Sequence, residues 1–263
     1  MEIITGVFSS IASGRNPGGY RFSFVNPIVW DVLQKKLRGC GTTFIILATA
    51  TSSPRLVMTL LPKVLQLVLP GIVARYLPVL LFGQHLEEAV LHGLVPVVAT
   101  ISVLLLASNL LILRSTDQTL LKQIAKGCLG LVLGSVMFHV TVVLFGAPVV
   151  ELWRQTLLLS LFLSSCVTVP LALHLGVSPR EWLDLLLELR VSDPQKLYIV
   201  CSSIGAMVGA YVGALPIPLD WDRPWQQWPL TCVYGTLIGH AVGILTSIVL
   251  SVTLKSAKST KKD

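Results

Sequence analysis

Asp220 and Asp222 stand two residues apart around Trp221, with Arg223 next in line. Two carboxylates so close on a turn could hold Mg²⁺ and, through it, a phosphate. His139 and His240 are further candidates, because each falls inside a long apolar run and an ionisable group within a membrane is functional by default. The plainer reading is that each imidazole bonds a Ser, a Thr or a carbonyl on a neighbouring helix. Arg75 also falls in an apolar run, where it needs a partner or must reach outward, and Glu87 or Glu88 is the expected partner. None of this completes a catalytic set. Two His with no carboxylate at their depth do not make a zinc site, and Arg223 reads as a local ion pair with its neighbouring Asp residues. No G-x-S-x-G, H-E-x-x-H or phosphate-cradling loop occurs. No catalytic residue, metal or cofactor is therefore expected.

The elements that must position these residues are membrane helices. Of the 263 residues 53% are hydrophobic and only 13% charged, against about a quarter charged in soluble domains. Mean hydropathy is +0.77. Six stretches can cross about 30 Å of hydrocarbon, at residues 64–82, 91–113, 127–147, 155–176, 197–219 and 230–254. Pro70, Gly71 and Arg75 are expected to interrupt the first. The fold class is thus all-α and polytopic, with a membrane domain over 58–254. Residues 1–57 form an N-terminal region rich in Ser and Gly, read as a loosely ordered tail with an amphipathic piece near 27–37. A basic, acid-poor transit peptide is the alternative. Residues 255–263 make a basic tail whose lysines suit anionic lipid. Seventeen Lys and Arg then fall on one side of the membrane, leaving Arg154 and Arg223 on the other and Arg75 within a span. That asymmetry places both termini in the cytosol. The net charge of +7 is sorted by membrane side rather than gathered in a stripe, so no nucleic-acid partner is expected. Five Cys, an odd number without C-x-x-C spacing, read as small packing residues.

Lipid offers no hydrophobic reward for helix association, so small residues and polar contacts must supply it. Gly205, Gly209 and Gly213 recur every fourth residue in the fifth span, and Gly235, Gly239 and Gly243 do so in the sixth. Two matched stripes on consecutive spans predict a tight hairpin; the alternative is that one stripe receives a helix of another subunit. The third span adds Gly130 and Gly134. Trp153, Trp221, Trp225 and Trp228 fit an interfacial aromatic belt.

Three segments point to a family. They are F-H-V-T-V-V-L-F-G-A-P-V-V-E at 138–151, T-V-P at 168–170 and G-A-L-P-I-P-L-D-W-D-R-P-W-Q-Q-W-P at 213–229. Together, over residues 124–248, they resemble the class F family of glycosylphosphatidylinositol (GPI) anchor biosynthesis, PIG-F. The resemblance implies a multi-pass protein of the endoplasmic reticulum that stabilises GPI ethanolamine-phosphate transferases. In that family the catalytic partner moves phosphoethanolamine from phosphatidylethanolamine onto anchor mannoses through a lumenal, metal-dependent domain. On this reading the chain is an accessory subunit and not an enzyme. Pro216, Pro218, Pro224 and Pro229 stiffen a docking turn; Trp221 and Trp225 supply contact area, and Asp222 or Arg223 sets register. Gly146, Ala147, Pro148 and Glu151 complete the surface. A second reading makes the chain a binder of phosphatidylethanolamine that takes direct part in transfer. Glu151, Asp220 or Asp222 would then receive the ammonium group, with His139 nearby. A channel or carrier lacks support: there is no inverted repeat and no acid at mid-membrane.

Overall fold

The computed structural model describes residues 54–113, 119–148, 150–187, 193–219 and 223–259, with side chains from 60 to 253. The chain divides after residue 52 into two units, and every described residue lies in the second. Asp220, Trp221 and Asp222, nearly all of the N-terminal region and the end of the tail lie outside the described residues.

The helices are α1 (Pro54–Phe82), α2 (Val90–Ile112), α3 (Leu120–Leu144), α4 (Trp153–Leu175), α5 (Pro179–Leu187), α6 (Pro194–Ala214) and α7 (Leu230–Ser259), with a short 3₁₀ turn at Pro224–Gln226. No strand occurs among the described residues. All but α5 are long and apolar enough to cross a membrane. Backbone groups in hydrocarbon must bond one another for want of water, which restricts such chains to helices or closed barrels. The six spans alternate in direction. One end of the bundle, here the starting end, holds the first turns of α1 and the last turns of α7; the far end holds, among the described residues, 83–89, 145–148, 150–152, 215–219 and 223–229, the described parts of the 83–89, 145–152 and 215–229 connections.

The central element is α4, whose span is 83% buried whereas the other five lie between 22% and 39%. It packs on α2, α3, α6 and α7, while α1 packs on α2 and touches α7. Small hydroxyl residues suit a central helix, because they allow close approach and bond the preceding turn. Ser160 Oγ donates to the Thr156 carbonyl at 2.8 Å and Ser165 Oγ to the Phe162 carbonyl at 2.7 Å.

Three boundaries differ from the sequence expectation. The first span is not interrupted: α1 is one helix through Pro62, Pro70 and Pro78. Those prolines share a buried four-residue stripe with Gln66 and Ala74, so the carbonyls left without an amide donor lie on the side of the helix that faces packed protein and not lipid. Next, α3 begins at Leu120, which puts Lys122 and Lys126 in its first two turns instead of in a connection. Lysine stems can lie along an apolar helix while the ammonium reaches water. Finally, α6 stops at Ala214 and residues 215–219 form successive turns. Pro216 and Pro218 cannot donate the amide bonds that further helix would need.

Candidate functional site

The glycine stripes of α6 and α7 face each other. A Cβ added at any of the six glycines would fall within 3.0 Å of backbone atoms on the opposite helix. Gly205 lies against Gly239 and Gly243, Gly209 against Gly235 and Gly239, and Gly213 against Thr231 and Cys232. Four-residue spacing lines the glycines up along one side of each helix. With no side chain between them the two backbones touch, so dispersion and Cα–H···O contacts accumulate along the seam.

A second seam, between α3 and α4, joins unlike surfaces and was harder to read. Gly127, Gly130 and Gly134 are buried on α3, and the facing side of α4 carries Ser164, Thr168 and Ala172. Thr168 Oγ1 donates to the Gly130 carbonyl at 2.9 Å, and Ser164 Oγ donates to the Leu131 carbonyl at 2.8 Å. The sequence signal was there in Gly130 and Gly134 opposite hydroxyls at 164 and 168, but the pairing becomes visible only once α3 and α4 are antiparallel neighbours. A further bridge unseen in sequence lies near the starting end. There the Tyr198 hydroxyl donates to Gln66 Oε1, and Gln66 Nε2 donates to Ser108 Oγ at 2.6 Å, tying α6 to α1 and α2.

At the far end two connections meet on Thr156, which is fully buried at the start of α4, and a third is tied to them through Gln227. Trp228 Nε1 donates to Thr156 Oγ1 at 3.1 Å. That hydroxyl has two acceptors, the carbonyls of Pro148 and Leu152, each at 3.2 Å. Gln226 Nε2 bonds the Pro216 carbonyl at 2.6 Å and also the Leu219 carbonyl, closing the 215–229 connection on itself. Gln227 Nε2 reaches the Glu87 carbonyl at 3.3 Å and so joins the 83–89 connection. Gly146, at φ 97°, makes the left-handed turn that ends α3. The Phe145 ring meets Tyr211 of α6 edge-on, with centroids 6.4 Å apart. Of the expected surface residues, Gly146, Glu151 and Arg223 are exposed, Pro148 and Trp225 half-buried, and Ala147 buried. These six share the far end; Asp220, Trp221 and Asp222 lie outside the described residues. Replacing Thr156 with Val keeps its volume and removes the shared hydroxyl. The expected result is several-fold faster cleavage within 215–229 by protease added to the solubilised protein, at unchanged helix content.

The intramembrane polar residues do not form a centre. His240 is buried, and neither ring nitrogen has a hydrogen-bond partner; His139 Nδ1 is likewise buried and unpartnered. The bond to a neighbouring Ser, Thr or carbonyl expected from sequence is thus not made at these nitrogens; Ser202 of α6, whose backbone lies beside His240, gives its Oγ to the Ile199 carbonyl. Arg75 is exposed, and its Nη1 donates to His85 Nδ1 at 2.7 Å. The expected carboxylate partner is thus replaced by an imidazole. Glu88 is committed elsewhere, accepting from the His85 amide at 3.2 Å, and Glu87 offers its carbonyl to Gln227. Among the described residues no three His, Cys, Asp or Glu side chains are grouped to hold a metal ion.

Residues 64–248, from the first span to the last, match the family described as GPI biosynthesis protein family Pig-F. The chain belongs to the PIG-F family. A human relative, named GPI ethanolamine phosphate transferase, stabilizing subunit, is 39% identical over 46% of this chain and 56% of its own length. A mouse protein of the same name is 33% identical over 58% of this chain and 70% of its own. Glycosylphosphatidylinositol anchor biosynthesis protein 11 of Yarrowia lipolytica is 37% identical over 49% of this chain and 56% of its own. The chain thus aligns with little more than half of the human and Yarrowia proteins. No solved structure matches it. The PIG-F match includes both seams and the residues of the far-end clamp, Pro148, Thr156 and Trp228.

Proposed function

We propose that this chain is a non-catalytic membrane subunit that binds and stabilises the catalytic subunit of a GPI ethanolamine-phosphate transferase in the endoplasmic-reticulum membrane. Both termini face the cytosol, and the far end, with Glu151, Arg223 and Trp225, faces the lumen beside the partner. The observation that carries the reading is the Thr156 clamp: three connections are tied together at the membrane surface by hydrogen bonds from Trp228 and Gln227. A surface ordered before docking loses little entropy on binding. The names of the human and mouse relatives agree with this role.

Exposed charges at this end can be reversed without touching either seam. Glu151→Lys combined with Arg223→Glu is expected to reduce co-purification of the transferase from digitonin-solubilised membranes by about fivefold or more, as mispaired interface charges do, while the abundance of the chain itself is kept. Undiminished co-purification would move the docking surface elsewhere. If instead the complex survives and phosphoethanolamine transfer is lost, the chain takes direct part in handling phosphatidylethanolamine.

A further inference from the structure

The fourth span ends at Leu175 and the next begins at Pro194. Between them in sequence, at the starting end, α5 takes nine residues, Pro179–Leu187, and packs on both α4 and α6. Gly176, at φ 86°, supplies the left-handed turn by which the chain leaves α4. Trp182 Nε1 donates to the Gly176 carbonyl at 2.8 Å and so fastens α5 to the end of the central span. Residues three or four apart share a helix face, which gives α5 three faces. Trp182 and Leu185 are buried, at 7% and 4% exposure, and make the face that meets the bundle. Leu183 and Leu187 are 56% and 75% exposed. Glu181, exposed, and Asp184, half-buried, form the third face. At about 100° per residue, half-buried Leu186 falls between the bundle face and the leucine pair, so the apolar surface is one continuous arc. Exposed Arg180 falls at the border between the leucine pair and the acidic face.

Nine residues make a helix of roughly 13 Å, far short of the 30 Å or so of a hydrocarbon core. A short helix with a wide apolar arc and carboxylates on the remaining side is built to lie in the plane of a membrane surface. The bundle covers only one edge of the arc. The other edge lies at the level where α4 ends and α6 begins, and the apolar medium around those helix ends is lipid. We infer that α5 is a membrane-surface strap seated at the headgroup boundary. Leu183 and Leu187 lie among the upper acyl carbons, Arg180 stands at the level of the phosphates, and Glu181 and Asp184 face water. The occupant of the leucine face is thus phospholipid and not a protein segment. This inference needs only the membrane spans and is independent of the docking surface proposed above, which is at the other end of the bundle.

Photo-crosslinking of the full chain in dioleoyl phosphatidylcholine vesicles tests it. p-Benzoylphenylalanine, which inserts into nearby C–H bonds when illuminated, is placed singly at Leu183, at Leu187 and, as the control, at Glu181. All three side chains are exposed, so each substitution leaves the packing of the bundle intact. Mass spectrometry of the digested protein is expected to find phospholipid adducts several-fold more abundant at positions 183 and 187 than at 181. Crosslinks from 183 and 187 to a peptide instead of to lipid would show that protein covers this face. Lipid adducts no more abundant than at 181 would show that it faces water. Either result overturns the proposal.

Discussion

Replacing Gly209 with Ile is expected to remove most of the folded protein from the membrane. A Cβ at this position would sit 2.9 Å from the carbonyl carbon of Gly235 and 3.0 Å from Cα of Gly239, before any branch is added. Overpacking a core usually costs about 1–3 kcal/mol because side chains can shift aside. Here the obstructing atoms belong to the backbone of α7, so no rotamer change relieves the clash and the helices must part. A loss of about 3 kcal/mol, the top of that range, is a large fraction of a marginal stability, and the level of the chain should fall about tenfold or more on a blot of isolated membranes. Gly71→Ala is the matched control. Gly71 is exposed on α1, with nothing within 4 Å of an added Cβ, so this variant should accumulate normally. Normal abundance of Gly209→Ile would mean that the stripes do not pack against each other in the folded chain.

Gly134→Leu should be nearly as damaging, for a different reason. Its Cβ would lie 2.5 Å from Ser164 Oγ and 2.6 Å from Thr168 Cβ. Those are side chains, and in isolation they could turn away. They are held, however, by bonds to the Gly130 and Leu131 carbonyls of the same helix, so moving them forfeits both bonds as well as the close approach. Interhelical hydrogen bonds in membranes average about 0.6 kcal/mol each, and with the packing loss the total should reach about 2–3 kcal/mol. Thr168→Val keeps the shape and deletes only the hydroxyl, so it should cost about 0.6 kcal/mol. Thermal unfolding of the solubilised protein separates the two: a large drop in melting temperature for Gly134→Leu and a small one for Thr168→Val. Equal drops would mean that hydrogen bonding, not backbone proximity, holds α3 to α4.

The two seams also mark how far residue patterns carry. The α6–α7 stripes are legible because both partners repeat the same residue at the same interval, so each announces its counterpart. The α3–α4 seam pairs glycines with hydroxyls, and a Ser-rich span has many uses. The Thr156 clamp was beyond sequence reading, since a lone Thr at 156 and a Trp at 228 become partners only when three connections reach the same end. Trp228 looked like a member of an interfacial belt; it is also a hydrogen-bond donor into the bundle. Arg75 illustrates the converse. Its need for a partner was plain from its place in a span, but the choice of His85 over Glu87 or Glu88 depended on how the 83–89 connection turns.

The number of spans and their helical nature were settled by the chain alone, because hydrocarbon penalises every unpaired peptide group and admits long apolar helices almost without alternative. Membership of the family was legible in the same way, from this chain's own proline- and tryptophan-rich segment at 213–229. Which helix would occupy the middle was not. The six spans are similarly apolar, so hydropathy cannot rank them; α4 sits at the centre with its Ser and Thr residues buried, their hydroxyls bonded within α4 or to the Gly130 carbonyl of α3. The clamp likewise exists only in three dimensions, where the ends of spans far apart in sequence share one membrane surface.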